Sequence, residues 1–209
     1  MIKNIVLDFG HGGIDASGRY TTAPNNMFIH ADGYAAYEGQ LNRQIGGLVE
    51  MFLHWHRPQV NIVSTVDPFD SRDLSLAWRV RVANQYKASE TIFVSIHANA
   101  SPSRAGRGFE IFTTRGTTKS DRLATLIGES VQRYYNEVNL KLRFDFGRDG
   151  DLDKEVDFYV LRKTRCPAVL LECLFFDNVE DIKFLRNPQF HKELAWHIYL
   201  GIMAYVQET

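Results

Sequence analysis

Cysteine is nearly absent: 209 residues carry only Cys166 and Cys173. That excludes a disulfide framework, and no C-x-x-C spacing suggests a thiol metal or redox motif. If one extended strand held both, their odd separation would turn them to opposite faces, so they are expected as reduced core residues. Cys173 receives no catalytic role although it follows Glu172 directly. Long apolar runs are also missing. No stretch approaches the roughly 18 to 20 apolar residues of a membrane span, which argues against membrane insertion. Charge of either sign is not in excess, with Lys+Arg 24 against Asp+Glu 25 and a formal charge of -1, so nothing draws the chain generally to nucleic acid or anionic lipid. The first residues, Met1 to Asp8, hold one lysine and a short apolar run broken by an acid, too little for a secretory signal peptide. The expectation is a soluble protein made in the cytoplasm. Nothing in the middle of the chain has linker composition, so residues 1–209 are expected to form a single domain.

What is present is a large apolar complement, 44% hydrophobic and 12% aromatic residues, enough for a sizeable core. Runs rich in β-branched residues at Ile2 to Leu7, Val60 to Val66, Thr91 to Ile96, Phe109 to Phe112, Phe158 to Leu161 and Ala168 to Leu171 predict strands. Between them the i, i+3, i+4 rhythm of one-sided helices recurs at Leu41 to Phe52, Leu76 to Ala83, Leu123 to Tyr134 and Phe190 to Tyr205. Strands alternating with helices predict an α/β fold with a mostly parallel sheet covered on both faces. Ligands in such sheets gather at the carboxyl ends of the strands. His11 follows the first strand, His97 ends the third and Glu172 ends the last, so the topology itself would carry them to one edge.

Two stretches depart from this rhythm. Residues 16–36 lack any period and are longer than an ordinary connection, which suggests a binding loop immediately before Glu38. Arg143 to Asp157 holds Asp145, Asp149, Asp151, Asp153, Glu155 and Asp157 with Gly147 and Gly150 among them; the spacing of an EF-hand is absent, so a solvated loop is expected.

The chemistry sits in four short segments. Gly10, Gly12 and Gly13 surround His11, which fits close backbone approach to a ligand or simply a strand-to-helix turn. His97 ends an apolar strand and could be a satisfied core imidazole. Glu38 opens a helix, where the dipole favours an acid without any metal. Glu172 ends so apolar a run that it must be paired, metal-bound or raised in pKa. His30, His54, His56, His191 and His197 are expected outside any metal group, with His30 the nearest candidate among them. Taken together, two imidazoles and a carboxylate form the usual set for a catalytic zinc with one open position, and a separate glutamate is the usual base. The combination points to hydrolysis.

The ordered segments are also similar to a known family. They are Ile5-Val6-Leu7-Asp8-Phe9-Gly10-His11-Gly12-Gly13, Glu38 with Asn42, Leu76-Ala77-Trp78-Arg79 with Ala83-Asn84, Val94-Ser95-Ile96-His97-Ala98-Asn99-Ala100, Arg107-Gly108-Phe109-Glu110, Phe158-Tyr159-Val160-Leu161-Arg162, and Pro167-Ala168-Val169-Leu170-Leu171-Glu172 with Phe175 and Asn178. Nearly end to end, this resembles the zinc-dependent N-acetylmuramoyl-L-alanine amidases of the amidase-3 type, which cut peptidoglycan. The resemblance implies a three-layer αβα fold around a twisted, mostly parallel (mixed) sheet of about six strands. It implies Zn2+ held by His11, Glu38 and His97, with Glu172 as the catalytic base. The implied partner is peptidoglycan, with no nucleic acid involved. A short chain of this kind resembles a phage-type endolysin acting at the cell wall after release. A bacterial wall-remodelling enzyme, a catalytically silent wall-binding protein and a zinc peptidase cutting another stem-peptide bond are the alternatives. Three features depart from the family pattern: Phe9 stands where proline is usual, Leu174 takes a glycine position, and the segment between His11 and Glu38 is longer.

Overall fold

The computed structural model describes residues 1–57, 59–145 and 150–209. Its strands are β1 (Asn4–Phe9), β2 (Met27–Ile29), β3 (Ala35–Tyr37), β4 (Asn61–Ser64), β5 (Thr91–Asn99), β6 (Glu110–Thr113), β7 (Lys154–Glu155) and β8 (Ala168–Phe175). Its helices are α1 (Glu38–His56), α2 (Leu76–Ala83), α3 (Lys119–Glu137), α4 (Tyr159–Lys163), α5 (Asp181–Leu185) and α6 (Pro188–Glu208). The main sheet has the order β4-β1-β5-β8-β6-β7. β4, β1, β5 and β8 pair in parallel, β6 runs antiparallel to β8, and β7 lies parallel to β6.

Strand alternation divides the core in two. Ile5, Leu7 and Phe9 of β1, Ile92, Val94 and Ile96 of β5, and Val169, Leu171 and Cys173 of β8 share a cluster with residues of α1, α3 and α6. Val6, Phe93, Ala168 and Leu170 face the other way, against Val80, Val82 and Ala83 of α2 and Val160 and Leu161 of α4. Helices therefore cover both faces, the three layers expected. The helices start where local chemistry permits: Thr118 and Asp121 form a capping box ahead of α3, and Asn187 caps α6 with Pro188 in its first turn. Cys166 and Cys173 are buried and free, one in each cluster.

From β1 the chain crosses to β4 on one side and then returns to β5 on the other, so the strand order reverses at β1. The crevice beyond the carboxyl ends of β1 and β5 is the topological switch point where ligands bind in such sheets. Beneath it lies a buried polar pin. Asp8 of β1 is fully buried and accepts from Arg79 Nη1 at 2.7 Å, Thr65 Oγ1 at 2.5 Å and Ser95 Oγ at 2.6 Å. Burial alone would raise its carboxyl, but the Arg79 guanidinium and the two hydroxyls outweigh that and hold it below the usual carboxylate range.

Three sequence expectations change here. Phe158 to Leu161 does not form a strand; Tyr159–Lys163 is the short helix α4, with Val160 and Leu161 buried and Phe158 and Tyr159 partly exposed. A four-residue apolar run fits either period, and the tertiary setting decided it. The edge strand β7 instead arises at Lys154–Glu155, inside the stretch expected as a solvated loop, where Asp153 is buried and bonds Thr113. Asp149 of that stretch lies outside the described residues. The long segment 16–36 also contains regular structure, the antiparallel β2–β3 hairpin.

Leu174 stands where the resemblance leads one to expect glycine, and the backbone there is irregular. His97 pairs with Glu172 and Asn99 with Phe175, so β8 carries one extra residue, and Leu174 adopts φ 68 there. A β-bulge with a left-handed residue is a natural glycine position, and a leucine in that region is strained by roughly 1–2 kcal/mol. Yet the Leu174 side chain is wholly buried, and deleting such a group costs about 2–5 kcal/mol. Packing outweighs strain. Leu174→Gly is therefore expected to lower unfolding stability by about 1–3 kcal/mol in denaturant titration, despite relieving the backbone.

Candidate active site

Each functional side chain is delivered by the end of a regular element. His11 lies just beyond β1 with φ 61, an uncommon backbone for a residue with a side chain. Its carbonyl is fixed by two arginines: Arg43 Nη1 donates at 2.9 Å and Arg79 Nη2 at 3.3 Å. Arg79 also donates to the Phe9 carbonyl at 2.6 Å, and Asn42 Nδ2 to that of Gly10 at 3.1 Å. The turn is thus held from both sides. Phe9, in the family's proline position, is fully buried, and its ring lies where a Cβ on Gly46 of α1 would come within 2.3 Å.

Glu38 is the first residue of α1 and is 3% exposed. His97 is on β5, facing the α2 and α4 side of the sheet together with Phe93. Glu38 Oε1 lies 2.9 Å from His97 Nδ1, and Oε2 lies 3.2 Å from His11 Nε2. The imidazoles meet edge to face with centroids 5.1 Å apart. One ligand atom from each of the three residues lies within 4.8 Å of the other two. Burial would raise the Glu38 carboxyl, but hydrogen bonds to and charge on the two histidines reverse this and hold it well below its usual range. An ionised carboxylate between two imidazole nitrogens is the donor chemistry of a zinc site.

Glu172 stands across from His97 on the neighbouring strand β8, and across from Glu110 on the other side. Burial, then the negative charges of Glu38 and Glu110, push its carboxyl well above the normal range. Its Oε2 is buried without a hydrogen-bond partner among the described residues. A buried acceptor left in that state is costly, which suits a group whose partner arrives with a ligand. His11, His97 and Glu172 line one cavity of about 230 Å³, walled by Leu76, Phe158, Tyr159 and Leu170 on its apolar side and Asp73 and Arg79 on its polar side.

All four residues singled out from sequence thus reach one place, His11, Glu38 and His97 as a group and Glu172 on the shared cavity wall. The remaining histidines do not join the group. His30 Nε2 donates to the Phe176 carbonyl at 3.0 Å, His191 Nε2 to the Leu185 carbonyl at 2.8 Å, His197 stacks on Tyr134, and His56 packs on Trp196. His54 lies on the opposite side of α1, in a groove beside Phe69. Burial pushes Cys166 up to about 12 and Cys173 well above the usual thiol range, so neither is a thiolate.

Two residues near the site received no role from the sequence. Glu110 accepts from Asn99 Nδ2 at 2.5 Å, from Arg143 Nε at 2.7 Å and from Lys154 Nζ, so its charge is compensated while that of an ionised Glu172 is not. Period-2 alternation in Gly108-Phe109-Glu110-Ile111-Phe112 carries the signal, an acid on the same face as Phe112. The other is Asn26, whose amide contacts both His11 and Glu38 across separations that no local pattern reveals.

Gly10 lets this arrangement form. A Cβ built on it would lie 2.1 Å from Cε1 of His97, so only glycine allows the ring to rest against the turn. Gly10→Ala should displace the His97 ring from the turn, read as a shift of the His97 imidazole resonances in NMR, while circular dichroism shows the fold retained. Unchanged His97 resonances would show that the ring does not depend on that approach.

Residues 5–204 match the Amidase_3 family model, described as N-acetylmuramoyl-L-alanine amidase. Among curated proteins, N-acetylmuramoyl-L-alanine amidase AmiC of Escherichia coli is 28% identical over 96% of this chain and 52% of its own length. The endolysin of Bacillus phage SPP1 is 29% identical over 93% of this chain and 63% of its own. The chain therefore spans about half to two thirds of the length of these relatives. Among solved structures, the catalytic domain of the amidase CwlV from Bacillus (Paenibacillus) polymyxa superposes with a TM-score of 0.72 at 29% identity and full coverage of both chains. With a fold, a family match over nearly the whole sequence and relatives that agree, the chain belongs to the amidase-3 family of N-acetylmuramoyl-L-alanine amidases.

Proposed function

We propose that this protein hydrolyses the amide joining N-acetylmuramic acid to L-alanine in peptidoglycan, using zinc held by His11, Glu38 and His97, with Glu172 as the general base. Residues 1–209 would act as one catalytic domain. The observation that carries the reading is the convergence of two imidazoles and a buried, ionised carboxylate beside a cavity that His11 and His97 line together with Glu172, whose Oε2 is buried without a hydrogen-bond partner among the described residues. Zinc in that position would supply a Lewis acid that polarises the scissile carbonyl, stabilises the developing oxyanion and acidifies water.

The chain's own groups account for the rest. Glu172 needs a raised proton affinity to take a proton from the attacking water and return it to the leaving amine, and its burial beside Glu38 and Glu110 provides that. The same Glu110, ion-paired with Arg143 and Lys154, faces Glu172 across the antiparallel pair and is held in place there. Leu76, Phe158 and Tyr159, each partly exposed, offer an apolar wall for the lactyl and alanyl methyl groups flanking the bond.

A role in cell-wall lysis as an endolysin is supported by similarity to a phage endolysin over 93% of the chain. Wall remodelling in a bacterium is the competing setting, since the AmiC relative is bacterial. A silent wall-binding role is disfavoured because neither a ligand nor the base is missing from the set. Among the described residues no helix is long and apolar enough to cross a membrane, consistent with action on an external polymer.

The test is Glu172→Gln. Removing a general base costs roughly 10²–10⁴ in rate, so release of new L-alanine amino termini from purified peptidoglycan should fall at least a hundred-fold with zinc content unchanged. A wild-type rate in the variant would remove Glu172 from the mechanism. A stability effect of opposite sign accompanies it. The raised carboxyl holds its proton more tightly folded than unfolded, so wild-type stability declines as pH rises from the ordinary glutamate range through the raised value. Metal-free Glu172→Gln should therefore melt higher than metal-free wild type at pH 7, and the gap should close toward pH 4.

A further inference from the structure

The long segment 16–36 is built into the site by a chain of contacts. Thr22 Oγ1 accepts from the Gly12 backbone at 2.8 Å, and the Tyr20 hydroxyl accepts from the Gly39 N–H at 3.0 Å. At its centre is Asn26, half-buried, just before β2, with φ 54. Asparagine is among the few residues that tolerate this left-handed backbone. The Asn26 carbonyl accepts from the backbone N–H of Glu38 at 2.9 Å, satisfying a donor at the start of α1. Its side-chain Nδ2 donates to Glu38 Oε2 at 2.6 Å and lies 3.2 Å from His11 Nε2. One residue therefore grips both the backbone and the carboxylate of Glu38 and reaches a second member of the three-residue group.

We propose that Asn26 is a positioning residue for the metal centre, orienting the Glu38 carboxylate toward the two imidazoles through its amide N–H, and that the long segment exists in this chain to deliver it. The inference rests on the zinc reading above. The physical reason is rotational. Glu38 Oε1 is already engaged by Asn42 Nδ2 at 3.3 Å and by His97, whereas Oε2 has Asn26 as its hydrogen-bond donor besides the His11 ring. Without that donor the carboxylate can turn about its last bond, and the alignment of both oxygens with the histidines is lost. Groups that hydrogen-bond a metal ligand typically contribute ten- to hundred-fold to metal affinity.

The test compares zinc dissociation constants, measured by competition with a chromogenic chelator, for wild type, Asn26→Gly and Asn25→Gly. Glycine adopts the left-handed backbone without strain, so Asn26→Gly deletes the amide and keeps the turn. Asn25 is exposed and its neighbouring substitution loosens the segment equally while leaving the amide in place. Expected is roughly ten- to hundred-fold weaker zinc binding for Asn26→Gly, less than two-fold change for Asn25→Gly, and metal-free melting temperatures alike in the two variants. Zinc affinity of Asn26→Gly within two-fold of wild type overturns the role of Asn26 alone. Equal weakening in both variants overturns it too, since the segment's order would then be the cause. A wild-type protein that binds no zinc overturns the metal reading and this inference with it.

Discussion

The structure depends on one buried carboxylate. Glu38 is taken out of water at the first turn of α1 and has no lysine or arginine partner among the described residues; two imidazoles, two amides and the start of a helix hold it instead. Desolvation of an ion is tolerated only where surrounding dipoles and positive charge replace the lost water. The histidines can do this as neutral or protonated rings, but a divalent cation does it far more strongly. The arrangement therefore presents an ionised carboxylate beside two imidazoles, a donor set suited to a divalent cation.

The rest of the fold keeps that constellation from relaxing. β1 and β5 bring His11 and His97 to the same edge because the strand order reverses at β1. Asp8 pins Arg79 beneath the turn, and Arg79 with Arg43 fixes the backbone carbonyl of a histidine in a left-handed conformation. Strain at a residue is retained only where its surroundings over-determine it, and this one belongs to the His11, Glu38 and His97 group. β8 bulges at Leu174, two residues after Glu172, and the Leu174 side chain is buried in the cluster that α1, α3 and α6 cover. The His11, Glu38 and His97 group, Glu172 and the cavity thus share one sheet edge.

Much of this was legible in the residue order. Strand and helix periods gave the layers, and the position of each ligand after a strand end gave the edge at which His11, His97 and Glu172 meet. Where periodicity was short, it misled: Phe158 to Leu161 has the composition of a strand, yet its exposed Phe158 and Tyr159 and buried Val160 and Leu161 suit a single helical turn beside the cavity. Lys154–Glu155 has too few residues to show any period at all. Asn26 and the contacts of Glu110 were not legible for another reason. Their importance lies in what they touch across the fold, and neither a lone asparagine in a loop nor one acid in a strand announces a distant partner.

The departures from the family pattern are accommodated rather than disruptive. Phe9 fills the space that Gly46 leaves on α1, Leu174 trades backbone strain for burial, and the long segment folds back onto the site instead of hanging free. The claim on which everything turns is that His11, Glu38 and His97 hold one zinc ion. Anomalous diffraction at the zinc edge from crystals of the zinc-loaded protein tests it most directly. The account predicts a single strong peak about 2.0–2.2 Å from a ring nitrogen of His11, a ring nitrogen of His97 and a carboxylate oxygen of Glu38. A peak bound elsewhere, or none at this position with zinc in excess, would contradict it.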